Sequence, residues 1–256
     1  MDLLFYALIF AISIIAAFID VIVGGSSLLI IPAFAVLGVP LATVIGTNRF
    51  YVTAFVLTGL LNYFHKKVSV DLKLIAGFLA LRVMGAFVGS SMLLQVSAEL
   101  VKTLVAVFMF AAMLAILILD RQKNSNQQAS TSKPRHLSNA KLAFLALCML
   151  LLGFYEGFVG GGAGTISRVL LILFFGFTML EAAFAELIMS FSGSLVASIV
   201  FVFSGKVDYV LLAPMLAGGV IGAFFGSSFA VKKGEHWMRS LLFLVVFILI
   251  LKMLFA

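Results

Sequence analysis

The chain has 256 residues, 64% of them hydrophobic and only 11% charged, with a mean hydropathy of +1.25. A soluble domain is about half apolar and about a quarter charged, so this composition excludes one and predicts an all-α polytopic membrane protein. The formal net charge of +7 sits largely in loops beside apolar runs, which is the positive-inside pattern and not a nucleic-acid footprint.

The first half reads as five apolar segments, at about Leu3–Val23, Ser27–Leu37, Leu41–Phe64, Leu72–Leu94 and Ala98–Leu119. No lysine or arginine precedes the first run, so it reads as a retained span and not a signal peptide. Asp120 to Ala140 is a linker rich in Ser, Asn and Gln, with Pro134 and the cations Arg121, Lys123, Lys133 and Arg135, and is expected on the cytoplasmic side. The second half reads as Lys141–Val159, Ala163–Phe175, Met179–Ser204, Tyr209–Val231 and His236–Phe255. The expected domains are therefore residues 1–119, 120–140 and 141–256. The second segment of each half is too short to cross a hydrocarbon core of ~30 Å, since 11–13 residues of helix cover roughly 17–20 Å. About eight full spans and two short segments are expected.

The two halves are copies. Gly-Ala-Phe-Val-Gly-Ser-Ser at Gly85 returns at Gly222 as Gly-Ala-Phe-Phe-Gly-Ser-Ser, 137 residues on. At nearly the same offset, Asp20-Val21-Ile22-Val23-Gly24-Gly25 returns as Glu156-Gly157-Phe158-Val159-Gly160-Gly161, and Lys67-Val68 as Lys206-Val207. A duplicated, glycine-interrupted, apolar chain is the pattern of a transporter. If the short segments are re-entrant, Lys232-Lys233 lies outside; if they count as crossings, which obeys the positive-inside rule better, five segments per repeat make the copies inverted. His65-Lys66-Lys67 and Lys232 to His236 then share the linker's side, Lys206-Val207-Asp208 lies opposite, and both termini face outward.

Two constellations carry candidate chemistry. Gly24-Gly25-Ser26-Ser27 and Gly160-Gly161-Gly162-Ala163-Gly164 interrupt apolar stretches. A helix broken at membrane depth is costly unless the break lines a cavity or is buried in protein, and the helix that restarts offers free N–H groups to an anion. Gly24, Gly25, Ser26, Ser27, Gly160, Gly161, Gly162 and Thr165 are therefore expected to bind substrate. The repeated Gly-Ala-Phe-x-Gly-Ser-Ser element reads as helix packing surface instead. The second constellation is charge within spans, which is expensive and usually functional. Thr47, Asn48 and Arg49 are expected to bind substrate, and Arg49 aligns with Glu186 at the 137-residue offset. Both are expected to face a central cavity, Glu186 either pairing with Arg49 or accepting a coupling proton. Arg168 faces an anion or snorkels to an interface. Arg82 pairs with a neighbouring helix or snorkels. Asp20 and Glu156 cap the restarting helix or line the path.

The single cysteine, Cys148, allows no intrachain disulfide, and no Cys/His spacing marks a metal site. No cofactor is implied. Hydrolase and metalloprotease motifs and an ATP-binding loop are all absent, so neither an enzyme nor a primary pump is expected.

Across both repeats the chain resembles the sulfite exporter TauE/SafE family, also described as toluene sulfonate uptake permeases. The resemblance is carried by Gly24-Gly25 with Pro32, Gly38 and Gly46-Thr47-Asn48-Arg49. In the second half it is carried by Gly153-Phe154-Tyr155-Glu156-Gly157-Phe158, the Gly160 to Gly164 cluster and Gly205-Lys206-Val207. It implies an inner-membrane, multi-pass permease for sulfite, sulfonates or related small anions, with substrate bound near the glycine breaks. The expected function is alternating-access transport, with proton coupling through the buried carboxylates. A passive channel and a non-transporting membrane subunit are the alternatives. The expected partners are the anion and the bilayer, with no nucleic acid and with a homodimer left open.

Overall fold

The computed structural model describes residues 3–36, 38–97, 99–100, 103 and 138–255. The fifth expected segment, at 98–119, and the linker up to residue 137 fall almost wholly outside these residues. The described residues form helices and no strand: α1 (Leu3–Val23), α2 (Ser26–Val36), α3 (Leu41–His65), α4 (Leu72–Leu93), α5 (Asn139–Phe158), α6 (Ala163–Phe175), α7 (Met179–Phe203) and α8 (Tyr209–Phe255). Six of them contain a stretch long and apolar enough to span a membrane, and α6 is a shorter apolar helix.

Local chemistry sets the helix ends. α1 stops at Gly24 and Gly25, whose φ values of 88° and 99° suit glycine alone. Gly162 (φ 84°) and Gly176 (φ 74°) bound α6 in the same way. Thr178 and Glu181 form a reciprocal capping box at the start of α7. The Asp208 carboxylate accepts from the N–H groups of Val210 and Leu211 at the start of α8.

One expected boundary is absent. The sequence predicts a loop at Lys232 to His236 and a separate tenth span, yet α8 runs unbroken for 47 residues. Charge interrupts hydropathy there, but a lone Gly234 costs a helix only about 1 kcal/mol, and no proline follows it. The first 25 residues of α8, Tyr209–Lys233, are its membrane-length apolar stretch among the described residues.

The contacts fix the direction of each helix. Gly218 lies on Phe10, Gly222 on Ile14 and Gly226 on Phe18, so α8 runs parallel to α1. Gly85 lies on Leu150 and Gly89 on Phe154, so α4 runs parallel to α5. The first helix of each half thus packs on the fourth helix of the other. The repeated seven residues supply both faces, because their glycines let backbones approach where a Cβ would collide with a carbonyl. α3 and α7 run antiparallel: Gly46 meets Phe201, Thr53 bonds Ser198 at 2.8 Å and Gly59 meets Leu187. α3 also runs with α8, since Asn62 bonds Ser227 at 2.7 Å while Gly219 meets Tyr51.

Lys67 and Lys232 therefore emerge at one end of the bundle and Lys206 at the other, and all three side chains are exposed. In a Cys148→Ala background, single cysteines at 67 and 232 should react with an impermeant thiol reagent from one side of the membrane and a cysteine at 206 from the opposite side. Labelling of all three from one side would contradict the helix directions. Gly222→Leu should separate α8 from α1 and destabilise the protein by about 1–3 kcal/mol, the usual cost of overpacking, read as a lower unfolding midpoint in detergent.

Candidate functional site

The two glycine breaks meet inside the bundle. Thr165, in the first turn of α6, donates its hydroxyl to the Val23 carbonyl at 2.9 Å. A Cβ on Gly24 would fall 2.6 Å from the Thr165 backbone nitrogen, so Gly24 serves this close approach as well as its own left-handed backbone. The second break is closed from within, by the Tyr155 hydroxyl on the Gly161 carbonyl.

A cavity lies between the breaks. Its walls are Gly25, Ser26, Ser27, Arg49, Val52, Gly160, Ala163, Gly164 and Ser190, with the carboxylates Asp20, Glu156 and Glu186. About 10 Å³ is open to the centre of a water-sized sphere, the scale of a single water molecule. The first residues of α2 and α6 face it, so two helix N-termini, with their partial positive charge, converge there.

Three arginines are buried around this cavity. Arg49 is 1% exposed. Its Nη2 donates to Ser27 Oγ at 2.5 Å, and Asn48 Nδ2 donates to the same oxygen at 2.8 Å. Ser27 Oγ thus accepts twice and keeps its own O–H to donate. Arg49 Nε has no partner. The guanidinium lies against Gly160, where a Cβ would stand 2.5 Å from its central carbon. Arg82 Nε binds Glu156 Oε2 at 2.8 Å, and Ser190 donates to Glu156 Oε1 at 2.7 Å. Arg168 binds Glu186 Oε2 at 2.9 Å and donates to the Asp20 backbone carbonyl at 2.8 Å. Gly164 and Gly193 leave space for the carboxylates of Glu186 and Glu156 respectively.

Several expected roles are corrected or decided. Glu186 does not pair with Arg49; its cations are Arg168 and, at 3.9 Å, Arg82. Arg168 is 3% exposed and does not snorkel, and neither does Arg82. Asp20 Oδ2 accepts the Ser26 N–H at 2.6 Å and so caps α2. Its counterpart Glu156 is an ion-pair partner instead, because Arg82 stands where the other half has Gly219. Thr47 accepts the Asp208 N–H at 2.9 Å, away from the cavity, and Asn48 acts through Ser27. Gly24, Gly161, Gly162 and Thr165 shape the breaks without lining the cavity. Ser190 was missed, although it lies one helical turn beyond Glu186 on the same face.

Glycine-broken helices closing on buried charge, within a bundle of membrane-length helices, define a multi-pass membrane protein with an interior polar site. The chain belongs to the sulfite exporter TauE/SafE family, whose model matches residues 9–253. It is 28% identical to a probable membrane transporter protein of Haemophilus influenzae, over 97% of this chain and 94% of that one. It is 24% identical to the probable membrane transporter protein YfcA of Escherichia coli, over 98% and 90% of the two chains. It is 27% identical to the probable membrane transporter protein ORF9 of a Sinorhizobium species, over 99% and 94%. No solved structure matches. The chain is a membrane transporter by family.

Removing one member of a buried ion pair strands its partner. Arg82→Met or Glu156→Met alone should destabilise the protein by about 3–5 kcal/mol, and the double variant Arg82→Met/Glu156→Met by much less. A double-mutant cycle of unfolding midpoints in detergent checks this; additive losses would mean that the pair is not coupled.

Proposed function

We propose that this transporter carries a small anion across the cell's inner membrane by alternating access. The observation that carries the reading is Arg49, a buried guanidinium without a carboxylate partner at the point where two helix N-termini converge. Charge-assisted bonds from arginine and free N–H groups at a helix start both favour an anion. The Ser27 hydroxyl adds a donor. The family name makes sulfite the first candidate, with sulfonates and other small organic anions beside it.

We read the halves as inverted copies. α3 antiparallel to its counterpart α7, with first helices packed on the other half's fourth, is what an axis in the membrane plane would generate. A cavity with room for about one water is too small to seat the anion as it stands. Substrate entry then requires the breaks to part. We assign gating and proton coupling to Glu186, Glu156 and Asp20, with Arg168 as the link that holds the Glu186 carboxylate and the Asp20 carbonyl together.

Proteoliposomes offered sulfite, sulfate, thiosulfate, sulfonates and carboxylates, with and without a pH gradient, test this. At least one anion should accumulate in response to the gradient. Arg49→Gln should lower that flux by on the order of a hundredfold while the protein remains monodisperse, since a desolvated charge contact is lost. Undiminished flux in the variant would remove the charge-based mechanism, and flux indifferent to the pH gradient would indicate a channel.

A further inference from the structure

We propose that Asp20 carries the coupling proton, one for each singly charged anion, so that loading leaves the site electrically neutral. The inference rests on the anion reading above and narrows its coupling assignment from three carboxylates to one. Around the cavity the charges balance: Arg49, Arg82 and Arg168 stand against Asp20, Glu156 and Glu186. Arg82 is paired with Glu156 at 2.8 Å and Arg168 with Glu186 at 2.9 Å. Arg49 is bonded to the Ser27 hydroxyl, and the Asp20 carboxylate to the Ser26 N–H at 2.6 Å, both neutral groups. Arg49 and Asp20 line the same cavity, so each is the other's remaining counter-charge.

An anion bound at Arg49 displaces Asp20 from that role. The site then holds one negative charge too many, with room for about one water to screen it. A proton restores the balance, and Asp20 is the place for it. Glu156 and Glu186 are 2% and 1% exposed and each already pairs with an arginine, whereas Asp20 is half-buried and pairs with none.

The other groups around Asp20 leave it no second cation. Arg168 of α6 donates to the Asp20 backbone carbonyl at 2.8 Å and gives its charge to Glu186 of α7. α3 brings Arg49, together with the hydroxyls of Tyr51 and Tyr63, which are bonded to the Ser13 and Val21 carbonyls. α5 brings Glu156, whose charge Arg82 of α4 meets. α2 has no charged side chain, and α8 has none from Tyr209 to Val231. Once the anion takes Arg49, no cation among the described residues holds Asp20 ionised. Its Oδ2 stays on the Ser26 N–H. The proton comes from water on the side where the anion enters, forms an O–H bond on Asp20, and returns to water on the other side.

Methanesulfonate tests this, because its charge does not titrate and it has no protonated form to cross the bilayer by itself. In proteoliposomes holding a pH-sensitive dye, its entry through the wild-type protein should acidify the lumen by one proton per anion. A gradient of one pH unit, acid outside, should accumulate it about tenfold, and an inside-positive potential set with potassium and valinomycin should not. Asp20→Asn keeps an oxygen for the Ser26 N–H but cannot take the proton. It should lose the pH-driven accumulation and fill the vesicles in response to the potential instead. Asp20→Ser, another neutral cap, serves if Asp20→Asn fails to fold. If methanesulfonate is not carried, the best-carried anion of the panel replaces it, scored by the loss of pH drive in the neutral variant alone. Methanesulfonate entry without lumen acidification overturns the inference. So does pH-driven accumulation that survives in a folded neutral variant, or a folded neutral variant that moves the anion under neither drive. A wild-type protein inert to every anion of the panel overturns the anion reading itself.

Discussion

Backbone groups released by a broken helix have no water to turn to inside a bilayer, so the protein must satisfy them itself. At the first break the Gly24 N–H still reaches the Asp20 carbonyl at 2.7 Å, and the Ser26 N–H takes the Asp20 carboxylate. The Val23 carbonyl, however, is satisfied from the other half, by Thr165. The breaks can therefore exist only where they meet. The helix packing serves that meeting. Gly222 and Gly226 seat α8 on Ile14 and Phe18, which holds the end of α1 within reach of α6. Gly85 and Gly89 do the same for α5 through α4.

Charge follows the same constraint at higher stakes. A buried ion costs several kcal/mol even after relaxation unless it is paired and hydrogen-bonded. Arg82 and Arg168 meet that condition only in part, since Arg82 Nη1 and Nη2 and Arg168 Nη1 lack hydrogen-bond partners. Each unsatisfied buried donor costs about 1–3 kcal/mol. A cluster left short of partners is poor as a rigid staple and suited to one whose partners change. Glycine is the other half of the arrangement. Gly160, Gly164 and Gly193 each occupy a place where a Cβ would press on Arg49, Glu186 or Glu156. The bulky charged groups fit at depth because glycines give up their side-chain volume.

Much of this was legible in the residues, and the parts that were not have physical causes. The short segments and the packing role of the seven-residue repeat follow from glycine position and apolar length; the helix Ala163–Phe175 has the boundaries expected of it. The 137-residue offset aligns Arg49 with Glu186, but residues so aligned would touch only beside an axis relating the halves. The cation that holds Glu186 is Arg168, 18 residues away on the neighbouring helix of the same half. No periodicity reveals such a pair, because it depends on how α6 is laid across α7. The end of α8 misled for a different reason. Hydropathy responds to the side chains Lys232, Lys233 and Glu235, whereas helix continuation responds to the backbone, and nothing in that stretch forbids it.

In the duplication reading the two breaks are counterparts, and they differ at particular places. Asp20 and Glu156 are aligned, yet one caps a helix and the other binds an arginine, because Arg82 has Gly219 as its counterpart. Arg49 and Glu186 are aligned, yet only Glu186 has a charged partner. Arg168 joins Glu186 to the carbonyl of Asp20 across the two halves, whereas Arg49 reaches across only to lie against Gly160. Two faces of an alternating-access site that were true copies would open at equal cost. With a charged link across one break and a neutral hydroxyl contact at the other, the two openings differ by the cost of separating a buried ion pair from its partners. In the transport reading, that difference biases which side the empty site faces, and an anion bound at Arg49 is the natural agent to offset it, since it adds to the weaker side the charged partner that side lacks.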